Sequence, residues 1–138
     1  MHKRPHGILH DRRGELEEAA LVLPVLLLIS LALVNMAILG FAAVNAGNAA
    51  NYGARMGSVA QSNPAGVAVA SANQMLAAAP VGTYTVAVSG SGLPGDMMTV
   101  QVSYTVPNYF GGLANFFGVS TPGNFTNTAT SYFRQEGW

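Results

Sequence analysis

The sequence has no cysteine, and its only histidines are His2, His6 and His10. Disulfides are therefore excluded. Charge is also scarce, because beyond Glu18 the 138-residue chain carries only four charged side chains: Arg55, Asp96, Arg134 and Glu136. General acid–base pairs, nucleophile triads and metal clusters all lack members. We therefore expect no enzyme and no cofactor.

The three histidines are spaced four residues apart, which would align them on one helical face for a metal ion. Pro5 and Gly7 lie between them and disfavour that helix. A basic tail containing Lys3 and Arg4 is the favoured interpretation of this segment.

The surface of the chain beyond residue 18 must take its polarity from Asn, Ser, Thr and Gly. Such a surface offers phosphates no basic patch, so we expect no nucleic-acid partner. It suits an exported protein that packs against copies of itself without charge repulsion. A secreted domain with a neutral surface fits the composition equally well.

An apolar run occupies residues 19–44, where Ser30 and Asn35 are the only clearly polar side chains. As a helix it is long enough to cross about 30 Å of hydrocarbon. The basic residues before it predict a cytoplasmic N-terminus and an outward C-terminus. A signal-peptidase site near Ala46 is an alternative, although glutamates do not normally separate the basic part of a signal from its apolar part.

We predict one continuous helix from about residue 16 to 61, roughly 70 Å long. Its second half, NAGNAANYGARMG, is rich in small residues that let helices approach closely. Pro24 costs little if the helix begins only a few residues earlier. If the helix begins nearer Glu15, Pro24 should kink it or loosen a turn.

The remainder predicts a small α+β domain. Asn63 and Pro64 are a helix-start signal, and this second helix should run to Ala79 and end at Pro80. We expect four of its side chains to be buried: Val67, Ala70, Met75 and Leu76.

Strands are predicted by alternation over residues 83–88 and 98–106, with the even-numbered residues apolar. The sequence SGSGLPGD between them predicts a hairpin loop, in which a turn role explains Asp96. Residues 124–134 predict a third strand. The expected architecture is α+β: a long N-terminal helix, a short second helix and an antiparallel sheet of about three strands on the upper half of the long helix.

Four aromatic residues lie between the second and third predicted strands: Tyr109, Phe110, Phe116 and Phe117. Exposed aromatic side chains mark contact surfaces, so these residues are candidates for a subunit contact. The alternative is that they fold back and cap the small core. Asn124 begins a glycosylation-acceptor pattern, which is a weak signal.

The run RGELEEAALVLP, residues 13–24, resembles the N-terminus of TadE-like pilins and pseudopilins of Tad-type, type IV-like pilus systems. Their hallmark is a basic residue and glycine, then a glutamate, then an apolar segment that begins with an A-L-V-x-P-type sequence. The later NAANYGAR, residues 48–55, and the closing residues 126–136 are similar to corresponding parts of these proteins.

The resemblance implies three regions: a leader or basic tail over 1–14, a long apolar helix over 15–62 and an outer domain over 63–138. It also implies insertion in the cytoplasmic membrane, followed by extraction into an extracellular filament. The expected partners are copies of the chain, a membrane assembly machine and a prepilin peptidase. The implied role is a structural subunit of a pilus or a minor subunit that primes or caps one. The alternative without a filament is a single-pass membrane protein that anchors a surface-binding domain.

The resemblance assigns assembly or processing roles to Arg13, Gly14, Glu15, Glu18 and Pro24. In the family, the peptidase cuts after a small residue, usually glycine, and the glutamate is fifth in the mature chain. A cut after Gly14 here places Glu18 fourth, and a cut after Arg13 places it fifth.

Glu18 would meet the new N-terminal amine of a neighbouring subunit. Without cleavage, Arg12 or Arg13 would replace the amine as its partner. Glu15 and Glu17 are explained by the positive end of the helix dipole, an alternative that applies to Glu18 too.

Overall fold

The structure, a computed structural model, describes residues 11–79 and 81–136. Over these residues the fold is α+β, as predicted. The elements, in chain order, are α1 (Asp11–Ser58), α2 (Pro64–Leu76), β1 (Thr83–Ser89), β2 (Met97–Pro107), α3 (Gly111–Phe116) and β3 (Asn124–Arg134). The short helix α3 was not predicted, and the three strands lie where they were predicted, to within one residue at each end.

Helix α1 is continuous over 48 residues, or roughly 70 Å. It begins five residues before the predicted start and passes through Gly14, where the predicted leader ends. Pro24 therefore lies well inside the helix, where its nitrogen cannot donate to the carbonyl of Ala20. The helix ends at Ser58, three residues before the predicted end, and the N–H of Ala60 donates to the Gly57 carbonyl at 3.2 Å in the following turn.

Helix α2 starts as its sequence predicts. Asn63 has a left-handed backbone with φ of 48°, and its side-chain oxygen accepts a hydrogen bond from the Gly66 N–H at 3.1 Å. Pro64 occupies the first turn, where the missing N–H costs nothing. The helix ends at Leu76 rather than Ala79, and Pro80 is outside the described residues.

The predicted buried face of α2 is correct only for Leu76. The buried residues are Ala68, Ala72 and Leu76, whereas Ala70 and Met75 are exposed and Val67 is half-buried. The reason is the close approach of α2 to α1 at Gly53 and Gly57, where a methyl group on either glycine would lie within 3.1 Å of α2. Alanine side chains fit such a close helix–helix contact, whereas larger side chains do not.

The three strands form one antiparallel sheet in the order β1-β2-β3. The even-numbered residues of β2, from Met98 to Val106, are buried, and those of β1 are half-buried, as the alternation predicted. The opposite face is rich in hydroxyl groups and carries one charged residue, Arg134, at the end of β3. On it, Ser103 and Thr128 are hydrogen bonded at 2.9 Å, and Thr105 and Thr126 at 3.0 Å.

The inner face of the sheet packs along the C-terminal half of α1, as predicted. Alanines of α1 meet the sheet and α2, and the buried cluster contains Ala42, Ala46, Ala49, Ala50, Ala54, Met98, Val100, Val102, Val106 and Phe133. At the end of β3, the N–H of Glu136 donates to the Ser58 carbonyl at 3.0 Å. Gln135 Nε2 donates to the Ala60 carbonyl at 2.7 Å. The sheet is therefore fixed to the C-terminal end of α1.

Candidate assembly surface

The N-terminal part of α1 has no protein around it among the described residues. No residue from Leu16 to Val34, hereafter the bare segment, is buried. Its exposure reaches 76% at Leu21. In the part of the chain that the structure describes, α1 is the one helix long and apolar enough to cross a membrane. So much exposed apolar surface needs lipid or other helices to cover it.

The carboxylates Glu17 and Glu18 lie at the start of the bare segment and are exposed. Pro24 follows within the same helix and is half-buried. Gly14 is exposed, and a methyl group added there would meet nothing within 4 Å. Arg13 and Glu15 belong to α1, but their side chains lie outside the described residues. Helix α1 thus presents Gly14, Glu17 and Glu18 where another molecule can reach them.

A buried polar contact marks where the bare segment ends. Asn35 is only 5% exposed, and its Oδ1 accepts a hydrogen bond from the Tyr109 N–H at 2.9 Å. From this residue onwards the outer domain covers one side of α1, since Ile38, Leu39 and Ala42 contact the core. Sequence reasoning noted Asn35 only as a polar residue in the apolar run; its isolation there was the available signal.

The segment that contacts Asn35 is held in shape by Asn108. Its Nδ2 donates to the Pro122 carbonyl at 2.6 Å, and its Oδ1 accepts from the Gly111 N–H at 3.0 Å. These bonds join the two ends of the β2–β3 connection and support the start of α3. The connection is therefore an ordered element. It lies at the end of the sheet nearest the bare segment, hereafter the lower end.

The four aromatic candidates divide into two groups. Phe110 is half-buried, whereas Tyr109, Phe116 and Phe117 are 60%, 81% and 45% exposed. The rings of Phe116 and Phe117 are 5.3 Å apart and perpendicular. Three of the four side chains therefore do not cap the core, and their exposure is what a contact surface requires.

The charged residues that follow Glu18 lie at two places, a groove beside α1 and the loop between β1 and β2. Arg55, Arg134 and Glu136 line a groove of about 370 Å³ between α1 and β3. Arg134 Nε donates to the Gly95 carbonyl at 2.9 Å. Asp96 accepts a hydrogen bond from the Ser91 hydroxyl within the hairpin loop, which agrees with its predicted turn role. No group of three metal-ligating side chains occurs among the described residues, and the three histidines lie outside them.

One titratable group in the core is perturbed. Burial raises the pKa of the Tyr84 hydroxyl, the Asn45 side chain partly opposes this effect, and Tyr104 adds to it. In the described part of the chain, the buried Tyr84 hydroxyl and Asn45 Nδ2 have no well-formed hydrogen bond. The two groups are neighbours whose geometry is poor for hydrogen bonding.

Two weaker sequence signals also have a structural context. Ala46, at the alternative signal-peptidase site, is fully buried in the C-terminal half of α1. Asn124 is exposed at the first position of β3, opposite Pro107.

Comparisons with known proteins identify no relative of this chain. No family model, no curated protein and no solved structure matches this chain.

Proposed function

We propose that this protein is a structural subunit of a bacterial Tad-type, type IV-like pilus, similar to TadE-like pilins. The observation that carries the proposal is the bare segment. It is a stretch of exposed aliphatic side chains that continues as one helix into a folded domain and begins beside two exposed carboxylates. A protein of this shape has one surface for lipid or helix packing and another for water.

Before assembly, the bare segment lies in the cytoplasmic membrane. From Leu16 to Val34 it is about 28 Å long, close to the thickness of the hydrocarbon layer. The basic residues before it stay in the cytoplasm, so the outer domain faces outwards. This span is shorter than the uncharged run 19–44, because the outer domain begins to cover α1 at Asn35.

After extraction, the bare segments of neighbouring subunits replace lipid and form the core of a filament. Lipid chains are as apolar as leucine, so this exchange is governed by packing and by a few polar contacts. Glu18 supplies such a contact, because a carboxylate enclosed among helices needs a positive partner. The amine released by cleavage near Gly14, or a retained Arg12 or Arg13, is that partner. The filament then serves adhesion or secretion.

The role of Glu18 is tested by a matched pair of neutral substitutions. Glu18→Gln should leave membrane insertion intact and reduce the yield of sheared surface fibres. Glu17→Gln removes the same charge from the adjacent position and should retain a yield near that of the wild type. Equal fibre yields from the two variants would contradict the assembly role of Glu18.

Intact mass and N-terminal sequencing of protein from sheared fibres test processing and rank the alternatives. A chain that begins at Gly14 or Glu15 indicates a prepilin peptidase, and one that begins at Met1 indicates assembly with Arg12 and Arg13 retained. A major subunit should dominate the fibres, and a minor pseudopilin should be scarce there. Absence of the protein from the fibres would favour a permanent single-pass anchor.

A further inference from the structure

The connection between β2 and β3 lies at the level of α1 where the bare segment ends. The Asn35–Tyr109 hydrogen bond fixes this level on α1. At the other end of the sheet, Glu136 bonds to Ser58. The helix between these contacts is about 35 Å long, and the 11-residue strand β2 spans about the same distance. The sheet therefore runs along α1 and presents the connection at its lower end.

This lower end carries exposed aromatic rings and no charged side chain. Its most exposed rings, Tyr109, Phe116 and Phe117, are called here the aromatic base. No charged residue occurs anywhere between Asp96 and Arg134 in the sequence, so the connection carries none. Phe116 is 81% exposed, more than any leucine or valine of the bare segment. A group of exposed aromatic rings of this kind marks a contact surface.

The aromatic base lies at the level of α1 where the bare segment ends. The bare segment ends at Val34, and the next residue, Asn35, holds the backbone of Tyr109. If the bare segment fills the hydrocarbon layer, the aromatic base reaches the membrane–water interface. Aromatic side chains are enriched at that depth, where the rings meet acyl chains and a tyrosine hydroxyl meets water.

We propose that the aromatic base inserts into the outer-leaflet headgroup region of the bilayer and seats the outer domain on the membrane before assembly. The proposal rests on the membrane insertion of the bare segment proposed above. It commits to lipid because the base lies at the level where the bare segment ends, which is the depth that such rings prefer in a membrane. A second copy of the chain as occupant is an outcome of the test.

The absence of cysteine allows a direct measurement of depth. Full-length variants with a single substitution, Phe116→Cys, Leu26→Cys or Thr128→Cys, are labelled with a nitroxide and reconstituted in bilayer nanodiscs. The lipid is a mixture of phosphatidylethanolamine and phosphatidylglycerol. Collisions of each label with apolar oxygen and with a water-soluble nickel complex are compared. Leu26 reports the bare segment, and Thr128 reports the exposed outer face of the sheet.

The proposal expects the oxygen-to-nickel collision ratio at Phe116 to lie several-fold above the ratio at Thr128 and below that at Leu26. If the label at Leu26 is in lipid but the label at Phe116 matches Thr128, the aromatic base is in water and the proposal is overturned. Shielding of Phe116 from both reagents would mean that a second copy covers it, which also overturns the proposal. A water-exposed label at Leu26 would instead overturn the insertion of the bare segment and, with it, the proposed function.

Discussion

The two halves of α1 are equally helical but differ in the size of their side chains. The bare segment is built mainly from leucine, valine and isoleucine, whereas the half that the outer domain covers is rich in alanine, glycine and asparagine. Large aliphatic side chains present area to lipid or to neighbouring helices. Small ones let α2 and the sheet approach the helix backbone closely. One continuous helix thus serves as a membrane or filament segment and as the spine of a folded domain.

A charge introduced into the bare segment should have the largest effect on the difference between the two halves of α1. An arginine at the centre of a membrane helix costs about 3 kcal/mol relative to leucine on insertion scales. Leu26→Arg should therefore reduce the membrane-integrated fraction of the protein, measured by carbonate extraction.

The matched control for that variant is Thr128→Arg, which places the same charge on the outer face of the sheet. It should integrate like the wild type. Equal integration of both variants would mean that the bare segment is not surrounded by lipid.

Removal of the Asn35–Tyr109 hydrogen bond should have the next largest effect. Asn35→Leu preserves approximate side-chain shape but leaves the N–H of Tyr109 without its acceptor. A buried donor left unpaired costs about 1–3 kcal/mol. Hydrogen exchange should show faster exchange of the Tyr109 amide and its neighbours.

Ser30→Ala is the control for Asn35→Leu. The Ser30 hydroxyl donates to the Leu26 carbonyl of its own helix at 2.8 Å and touches nothing in the outer domain. Tyr109 should remain protected in this variant. Undiminished protection in Asn35→Leu would show that the contact does not hold the β2–β3 connection.

Two glycines of the covered half should respond to the same substitution with opposite signs. In Gly53→Ala, the new methyl group would lie 2.7 Å from the Ala68 carbonyl oxygen, so α2 must shift. Overpacking typically costs about 1–3 kcal/mol, and the higher helix propensity of alanine returns about 1 kcal/mol. Denaturation by urea in detergent micelles should show a net loss of about 1 kcal/mol.

In Gly47→Ala, the added methyl group meets nothing within 4 Å. Only the propensity gain remains, so this variant should be more stable than the wild type by up to about 1 kcal/mol. Higher stability in both variants would mean that α2 moves away from Gly53 at little cost, so that the contact between α1 and α2 is not tightly packed.

The elements of this fold are visible in the sequence because their signals are local. Alternation identified the first two strands, the threonine- and aromatic-rich composition of residues 124–134 identified the third, and Asn63-Pro64 identified the start of α2. Helix α3 has six residues, two of them glycine, and is too short to show a periodic pattern. The buried face of α2 was mispredicted because Gly53 and Gly57, on another helix, decide it.

The candidate surface was predictable only in part, for a related reason. Glu18 and the apolar run can be read from consecutive residues. The Asn35–Tyr109 contact joins residues 74 apart in sequence, and no local pattern reports such a pairing. Which aromatic residues are exposed likewise depends on how the β2–β3 connection folds against α1.

The smallest expected effect concerns the Tyr84 hydroxyl, which the covered half of α1 and the sheet bury without a good partner. Tyr84→Phe removes a group that gains little from its surroundings, so stability near neutral pH should change by no more than about 0.5 kcal/mol. At alkaline pH the variant should differ more clearly. Because burial raises the pKa of Tyr84 in the folded state, the unfolded state releases this proton first.

In the wild type, the contribution of this group to stability is present below about pH 10 and is lost as the pH rises towards the folded-state pKa. Tyr84→Phe should therefore lose less stability than the wild type between neutral pH and about pH 11, measured by urea unfolding. Tyr132→Phe, at an exposed position of the outer face, is the matched control for loss of a tyrosine hydroxyl. If the alkaline decline of Tyr84→Phe equals that of the wild type, burial of this hydroxyl contributes nothing to the pH dependence, and the packing of β1 against the covered half is looser than the structure indicates.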